Sequence, residues 1–269
     1  MAASLPSQKA RPDPVQRVGA TFAWVTALIC LAPIPLVVIV ATTRNWADGF
    51  WAGGITMRWL AEGWQQISPY AWFSLRLAVL ILVLDVLVGL PTAWLIARYD
   101  FPGRQLLSAL TMVPIAIPGI AMALALILAY PAMRGDGRLL VAGHLLYTLP
   151  FFVGALVAPL SHPRLRELEA VAATLGAGTV KRLLFVVLPQ VRGALLAATI
   201  MVVTLSMGEF NVSFFLFTPS LKPLPVELYS AYITGRVEQA AAITLCFLLF
   251  VIPATIALER LGGGRVGQA

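Results

Sequence analysis

Charge is what this sequence has least of. Only 12% of its 269 residues are charged, while 59% are hydrophobic and the mean hydropathy is +0.87. Soluble domains carry roughly 25% charged residues. A water-facing surface cannot be built from so few polar groups, and the bilayer is the solvent that suits the remainder. Cysteine and histidine are scarce too. Cys30 and Cys246 both fall inside apolar stretches, which argues against a disulfide framework and reads as buried thiols. Together with His144 and His162 they are too scattered along the chain to converge on a metal. No Gly-x-x-x-x-Gly-Lys-Ser/Thr occurs, and the run Gly262–Gly264 lacks the Lys-Ser/Thr, so a nucleotide phosphate has no cradle. Neither Gly-x-Ser-x-Gly nor His-Glu-x-x-His is present, which speaks against a membrane hydrolase. No basic run is interleaved with aromatics, so the net charge of +7 reads as topology charge, with no nucleic-acid partner.

What is present is six apolar blocks, at about 21–42, 73–97, 106–130, 139–160, 194–217 and 237–258. At ~1.5 Å per residue each reaches roughly 33–38 Å, enough to cross a ~30 Å hydrocarbon core. A spanning segment must satisfy its own backbone hydrogen bonds, so the expected fold is an all-α integral membrane protein of six transmembrane helices. The first block is longer than the apolar part of a signal peptide, and no Ala-x-Ala exit follows it, so it is expected to remain as a span. Prolines inside the blocks (Pro33, Pro35, Pro91, Pro114, Pro118, Pro150, Pro253) predict kinks, the sharpest being a bend of the third helix at Pro114 and Pro118–Gly119.

Lysine and arginine set the orientation. With the N-terminus in the cytoplasm, Lys9, Arg11, Arg17, Arg98, Arg104, Arg164, Arg166, Lys181, Arg182, Arg192, Arg260 and Arg265 lie inside. Arg44, Arg58, Arg76, Arg134, Arg138, Lys222 and Arg236 lie outside. Twelve against seven favours both termini in the cytoplasm. Trp46, Trp51, Trp59, Trp64 and Trp72 cluster in the first outside loop, 43–72, as interface anchors do, and a short amphipathic surface helix is expected around Ile55–Ile67.

The longest inside loop, 161–192, reads SHPRLRELEAVAATLGAGTVKRLLFVVLPQVR. Arg164 to Leu175 has helical composition, Gly176 and Gly178 interrupt it, and Val180 to Leu188 is a second amphipathic piece ended by Pro189. This predicts two short helices at the membrane surface. One reading is a solvated loop held to lipid headgroups by its cations. The other is a rigid lever for a separate chain.

Residues in this loop carry a family resemblance. Gly176 is followed by nine residues, then Val186, one residue, Leu188 and Pro189. That is similar to the Glu-Ala-Ala, three residues, Gly, nine residues, Ile-x-Leu-Pro signature of permease subunits of binding-protein-dependent ABC importers. The front half departs: Ala170, Val171 and Ala172 stand where Glu-Ala-Ala belongs, and Glu169 comes one residue early. Similarity extends over about Ile55 to Leu261, including YDFPGRQLLSAL (99–110) and VPIAIPGIAMALALI (113–127). MGEFNVSFFLFTPSLKPLPVELYSAY (207–232) looks most like the second permease of polyamine and 2-aminoethylphosphonate type systems.

The resemblance implies a type I ABC importer permease fold in a bacterial inner membrane. Its partners would be an ABC ATPase dimer, a second permease (a heterodimer, with a homodimer open), a periplasmic solute-binding protein and membrane lipid. No cofactor would bind directly, since the ATPase hydrolyses ATP. Glu169, Ala170, Ala172, Gly176, Ala177, Leu188 and Pro189 would couple to that ATPase. The expected organisation is a cytoplasmic tail, 1–20; the first transmembrane helix and periplasmic loop, 21–72; a permease core, 73–260, holding the coupling loop 161–192; and a cytoplasmic tail, 261–269. A six-span secondary transporter or channel is the alternative, although no internal repeat supports it.

Two acids lie inside apolar blocks, Asp85 and Glu209. A mid-bilayer carboxylate costs about 2.5–3.5 kcal/mol, so each should face protein or water. Glu209 with Asn211 and Ser213, and Asp85 separately, are candidates for lining a solute pathway; bundle-holding hydrogen bonds are the other reading. His144 is expected to be a packed, hydrogen-bonded residue, and Tyr147, Phe151 and Phe152 to be packing groups.

Overall fold

The computed structural model describes residues 14–51 and 53–261; most of the N-terminal tail, with Lys9 and Arg11, and residues 262–269, with Arg265 and the glycine run, lie outside the described residues. Among the described residues the chain is built from helices joined by short turns, and pairing of extended backbone is limited to the isolated bridges Thr43–Ile55 and Thr218–Leu221.

Helices α1 (Pro14–Leu31) and α2 (Pro33–Thr42) form the first crossing. Its side chains are mostly bare, including Phe22, Trp24, Leu28 and Ile29, as suits a helix facing lipid. Helix α3 (Arg58–Leu84) runs through a wide turn at Asp85–Gly89 into α4 (Leu90–Arg98). The result is a single helical rod of 41 residues. Here the structure departs from the expected division into a surface helix near 55–67 and a separate span starting at 73. Pro69 does not break the rod: Ser68 Oγ donates to the Gln65 carbonyl at 3.5 Å, the acceptor that proline leaves free. Pro91 likewise cannot donate back along the helix, and the wide turn just before it absorbs the mismatch.

The third block is not one straight helix. Helices α5 (Arg104–Ala116) and α6 (Gly119–Ala129) meet at 107°. Ile117, preceding Pro118, is held extended, as the proline ring requires. The expected bend is there, and it is a break rather than a kink. Helix α7 (Arg138–Leu160) is continuous through Pro150 and Pro159. It is the centre of the bundle: Phe152, Leu156 and Leu160 are fully buried, and the core around them takes in Ile81 of α3, Ala93 and Ala97 of α4, and Met122 of α6.

Segment 161–192 folds as α8 (Pro163–Thr174), α9 (Thr179–Arg182), a wide turn at Leu183–Val187 and α10 (Leu188–Gln190). Pro189 does not end this piece where expected. The Leu188 N–H reaches back to the Leu183 carbonyl, carrying the helix to Gln190 before a 78° bend into α11 (Arg192–Gly208). The fifth block also stops being one helix at Gly208. A turn at 209–212 leads to α12 (Ser213–Leu216), and the chain then forms an unforeseen half-length helix, α13 (Leu224–Thr234), before α14 (Val237–Leu261). Among the described residues four helical stretches are long and apolar enough to cross a membrane, and counting each bent pair as one crossing brings the number to six.

Candidate functional site

Segment 161–192 is built by local rules. His162 caps α8, its Nδ1 accepting from the Arg164 N–H at 3.3 Å, and Pro163 follows in the first turn. The far end closes on Gly176, whose φ of +79° is the left-handed conformation glycine adopts freely. The Gly176 N–H donates to Ala173 O and the Ala177 N–H to Ala172 O, both at 3.0 Å, which is the six-to-one and five-to-two closure of a Schellman turn. The glycine legible in the motif is thus a backbone requirement, and Ala172 and Ala177 take part through their main chains.

One side of α8 is spent on the bundle. Leu165 is buried. Glu169 Oε2 lies 2.5 Å from Arg98 Nη2, with both side chains largely enclosed. The charges touch without a well-aligned hydrogen bond, and the guanidinium also lies over the Trp94 ring at 5.3 Å. Arg166 Nη2 donates to Ala97 O at 3.0 Å, and Arg104 Nε donates to Ile96 O at 2.8 Å. Two cations therefore satisfy the last carbonyls of α4, where the helix dipole is negative. Glu169, one of the expected coupling residues, points into the bundle rather than outward. The outward face is apolar and bare: Val171, Leu175, Val180 and Phe185 are all exposed, Leu175 by 83% and Phe185 by 76%. Leu188 is half-buried, whereas Ala170 and Pro189 are exposed.

A second cluster crosses the middle of the bundle. Asp85 is fully buried, and Thr148 Oγ1 of α7 donates to its Oδ2 at 2.7 Å. One turn away, His144 shares hydrogen bonds with Ser206 Oγ at 2.9 Å and Ser213 Oγ at 2.8 Å. Glu209 is nearly enclosed. Its Oε1 accepts from the Val212 N–H and its Oε2 from the Ser213 N–H, each at 2.8 Å, so the carboxylate ties the start of α12. The structure thus brings Glu209 and Ser213 together, joins them through His144 to α11, and leaves Asn211 exposed at the turn. Asp85 reaches this cluster only through the Thr148–His144 stretch of α7. A cavity of about 440 Å³ is walled by Gly208 and Phe210, on either side of Glu209 in sequence, together with Leu228, Tyr229, Tyr232 and Phe247; Glu209 itself does not line it. The rings of Phe210, Phe214 and Tyr229 stand 5.2–5.4 Å apart.

Several of these residues leave no mark in a hydropathy reading. Thr148 and Ser206 are small hydroxyls that the sequence reading passes over, and only the four-residue spacing from His144 could have pointed to Thr148, whereas Ser213 is already a candidate beside Glu209. Also unforeseen is a buried pair of acids toward the face opposite the loop. Glu227 accepts from Gln66 Nε2 at 2.8 Å and pairs with Lys222 Nζ at 2.6 Å, and Glu238 accepts from the Trp46 N–H at 2.7 Å.

Among the described residues the fold is an all-α bundle with bent, broken crossings and a helical segment, 161–192, on its surface. The chain belongs to the family described as binding-protein-dependent transport system inner membrane component, whose profile matches residues 86–263. It is 29% identical over 242 residues to the spermidine/putrescine transport system permease protein PotC of Escherichia coli K12, covering 88% of this chain and 91% of that one. It is 24% identical over 244 residues to the putative 2-aminoethylphosphonate transport system permease protein PhnV of Salmonella typhimurium LT2, covering 88% and 90%. With the sulfate transport system permease protein CysT of the same organism it shares 28% over 223 residues, covering 78% and 77%. In fold it is similar to a chain of the crystal structure of a bacterial ABC transporter involved in the import of the acidic polysaccharide alginate. That match has a TM-score of 0.70 at 14% identity and covers 96% of this chain and all of that one. The protein is a multi-pass inner-membrane permease of the type I ABC importer class.

Proposed function

We propose that this permease forms half of a pore for a small charged solute and is driven through segment 161–192 by a separate ATPase. One observation carries the reading. Arg166 and Glu169 fasten α8 to α4, while Leu175, just past its end, and Phe185, in the wide turn that follows, are left bare. A segment fixed on one side and uncovered on the other is suited to passing a push from a second chain into the bundle. The partners in this reading are an ATPase pair on the cytoplasmic side, a second, related permease, and a solute-binding protein outside. The chain itself binds no cofactor, and both termini are cytoplasmic, with the permease core spanning 73–260.

The solute path in this proposal runs beside Glu209, Asn211, Ser213 and Asp85. Aromatic faces at Phe210, Phe214 and Tyr229 next to a carboxylate suit a cationic group. Spermidine, putrescine and 2-aminoethylphosphonate, named for two of the relatives, all carry amines.

The test is ATP hydrolysis and uptake by the full complex in proteoliposomes. Leu175→Asp is expected to lower binding-protein-stimulated hydrolysis about tenfold or more, since losing a buried leucine at a contact forfeits ~1.5–3 kcal/mol. Normal stimulation in that variant would overturn the docking reading. In the same preparation Glu209→Gln is expected to lower uptake while the complex stays assembled; unchanged uptake removes Glu209 from the path. Transport by the chain alone would instead favour a carrier or channel.

A further inference from the structure

On the face opposite segment 161–192, two arginines share one groove. Arg76 of α3 and Arg138, at the start of α7, stand on the rim of a cavity of about 550 Å³, with Phe73 beside them and Leu80 and Val141 lining it one turn deeper. Asp136, on the same rim, accepts from the Arg138 N–H at 3.0 Å and pairs with its Nε at 2.9 Å. Among the described residues Arg76 has neither an ion pair nor a hydrogen bond, and it is exposed. The rim therefore holds two guanidinium groups against one carboxylate.

Depth says what balances the surplus. The Asp85–Thr148 hydrogen bond fixes α3 and α7 at a common level. Thr148 is the eleventh of the 23 residues of α7, close to its midpoint. Counting back toward the opposite face, Arg76 lies nine residues before Asp85 and Arg138 ten before Thr148. At ~1.5 Å per residue that puts them about 13–15 Å from the mid-plane. Half of a ~30 Å hydrocarbon core is about 15 Å, so both sit where acyl chains give way to phosphates. An uncompensated arginine at that boundary turns toward the headgroups. The groove below it, half-exposed and apolar, continues into the depth of the chains, with Leu80 45% exposed.

We propose that Arg76 and Arg138 clamp the phosphate of an anionic glycerophospholipid in this leaflet, one acyl chain lying along Leu80 and Val141. The site is separate from the solute path and does not depend on the ATPase reading. A guanidinium pair matches a phosphate in geometry as well as charge, and the net positive charge favours phosphatidylglycerol over a lipid that carries its own ammonium.

Native mass spectrometry of the full chain in detergent, titrated with phosphatidylglycerol, tests this. The wild type should retain one tightly held lipid, with phosphatidylcholine held more weakly. Arg76→Gln should reduce retention about tenfold or more, as expected when a charge-assisted contact is lost, with an unchanged elution profile. Leu80→Trp fills the lower groove without touching charge and should reduce retention as well, which keeps the proposal testable if the arginine variant folds poorly. Equal retention in wild type and both variants would overturn it. So would equal retention of the two lipids, or sn-glycerol 3-phosphate competing as well as the whole lipid, which would mark a soluble-anion site. Loss of a partner permease from the complex on Arg76→Gln, with lipid retention intact, would make the groove a protein interface instead.

Discussion

Thr148 shows how a hydroxyl decides what a buried acid can do. Asp85 is fully buried, with one oxygen served by Thr148 and the other, Oδ1, unserved among the described residues. Removing the hydroxyl alone, as in Thr148→Val, is expected to destabilise the protein by about 1–2 kcal/mol, because a buried polar group loses its only partner. Removing both polar groups should be gentler. The pair Asp85→Leu with Thr148→Val is predicted to be more stable than Thr148→Val by itself, since replacing both partners with apolar groups of similar shape is nearly neutral. Thermal unfolding in detergent gives the sign, and a double variant less stable than the single one would refute it. Gly143 adds a constraint of another kind: a Cβ there would meet Val212 Cγ1 at 2.5 Å and Leu216 Cδ1 at 2.9 Å, so α7 and α12 approach only through a glycine.

Helix α8 is held by its end caps, by buried Leu165, by the Arg166–Ala97 hydrogen bond and by one ion pair. Glu169→Ala leaves Arg98 enclosed without its carboxylate, which costs roughly 3 kcal/mol for a buried pair. If that cost falls on α8, hydrogen exchange across 163–174 should rise by about a hundredfold, since ~1.4 kcal/mol is a factor of ten. Glu167→Ala, an exposed neighbour, should leave exchange almost unchanged. Equal protection in both variants would mean the pair does not fasten the helix. The elements were unevenly legible. Six crossings could be counted because hydropathy measures apolar content over some twenty residues, and that is what the bilayer demands. Hydropathy carries no direction, however. It joined α5 to α6 across Pro118, joined α11 to α12 across Glu209, and passed over α13, whose apolar residues look like more loop. Asp85 and Glu209 stood out as charges in apolar surroundings. Their partners, Thr148 and two backbone N–H groups, could not, because hydroxyls and main chain leave no trace in such a count.

For the molecule as a whole, the proposed orientation rests on the lysines and arginines, twelve of which it puts on the loop face and seven on the other. Leu175, bare at the turn after α8, is the natural reporter. Leu175→Cys, in a background where the exposed Cys30 is replaced by serine, should react with a membrane-impermeant maleimide in inside-out vesicles and not in intact spheroplasts. The opposite labelling pattern would reverse the topology and with it the ATPase reading.

The rod formed by α3 and α4 has one further consequence. Arg98, gripped by Glu169, is its last residue, and Arg58 is its first, 40 residues away along the rod. At ~1.5 Å per residue that rod is about 60 Å long, so a tilt of only about 5° at the gripped end would sweep Trp59 sideways by roughly 5 Å. Small angular errors in how α8 is seated become large excursions at the far surface, which gives the short contact between Arg98 and Glu169 a mechanical advantage out of proportion to its size.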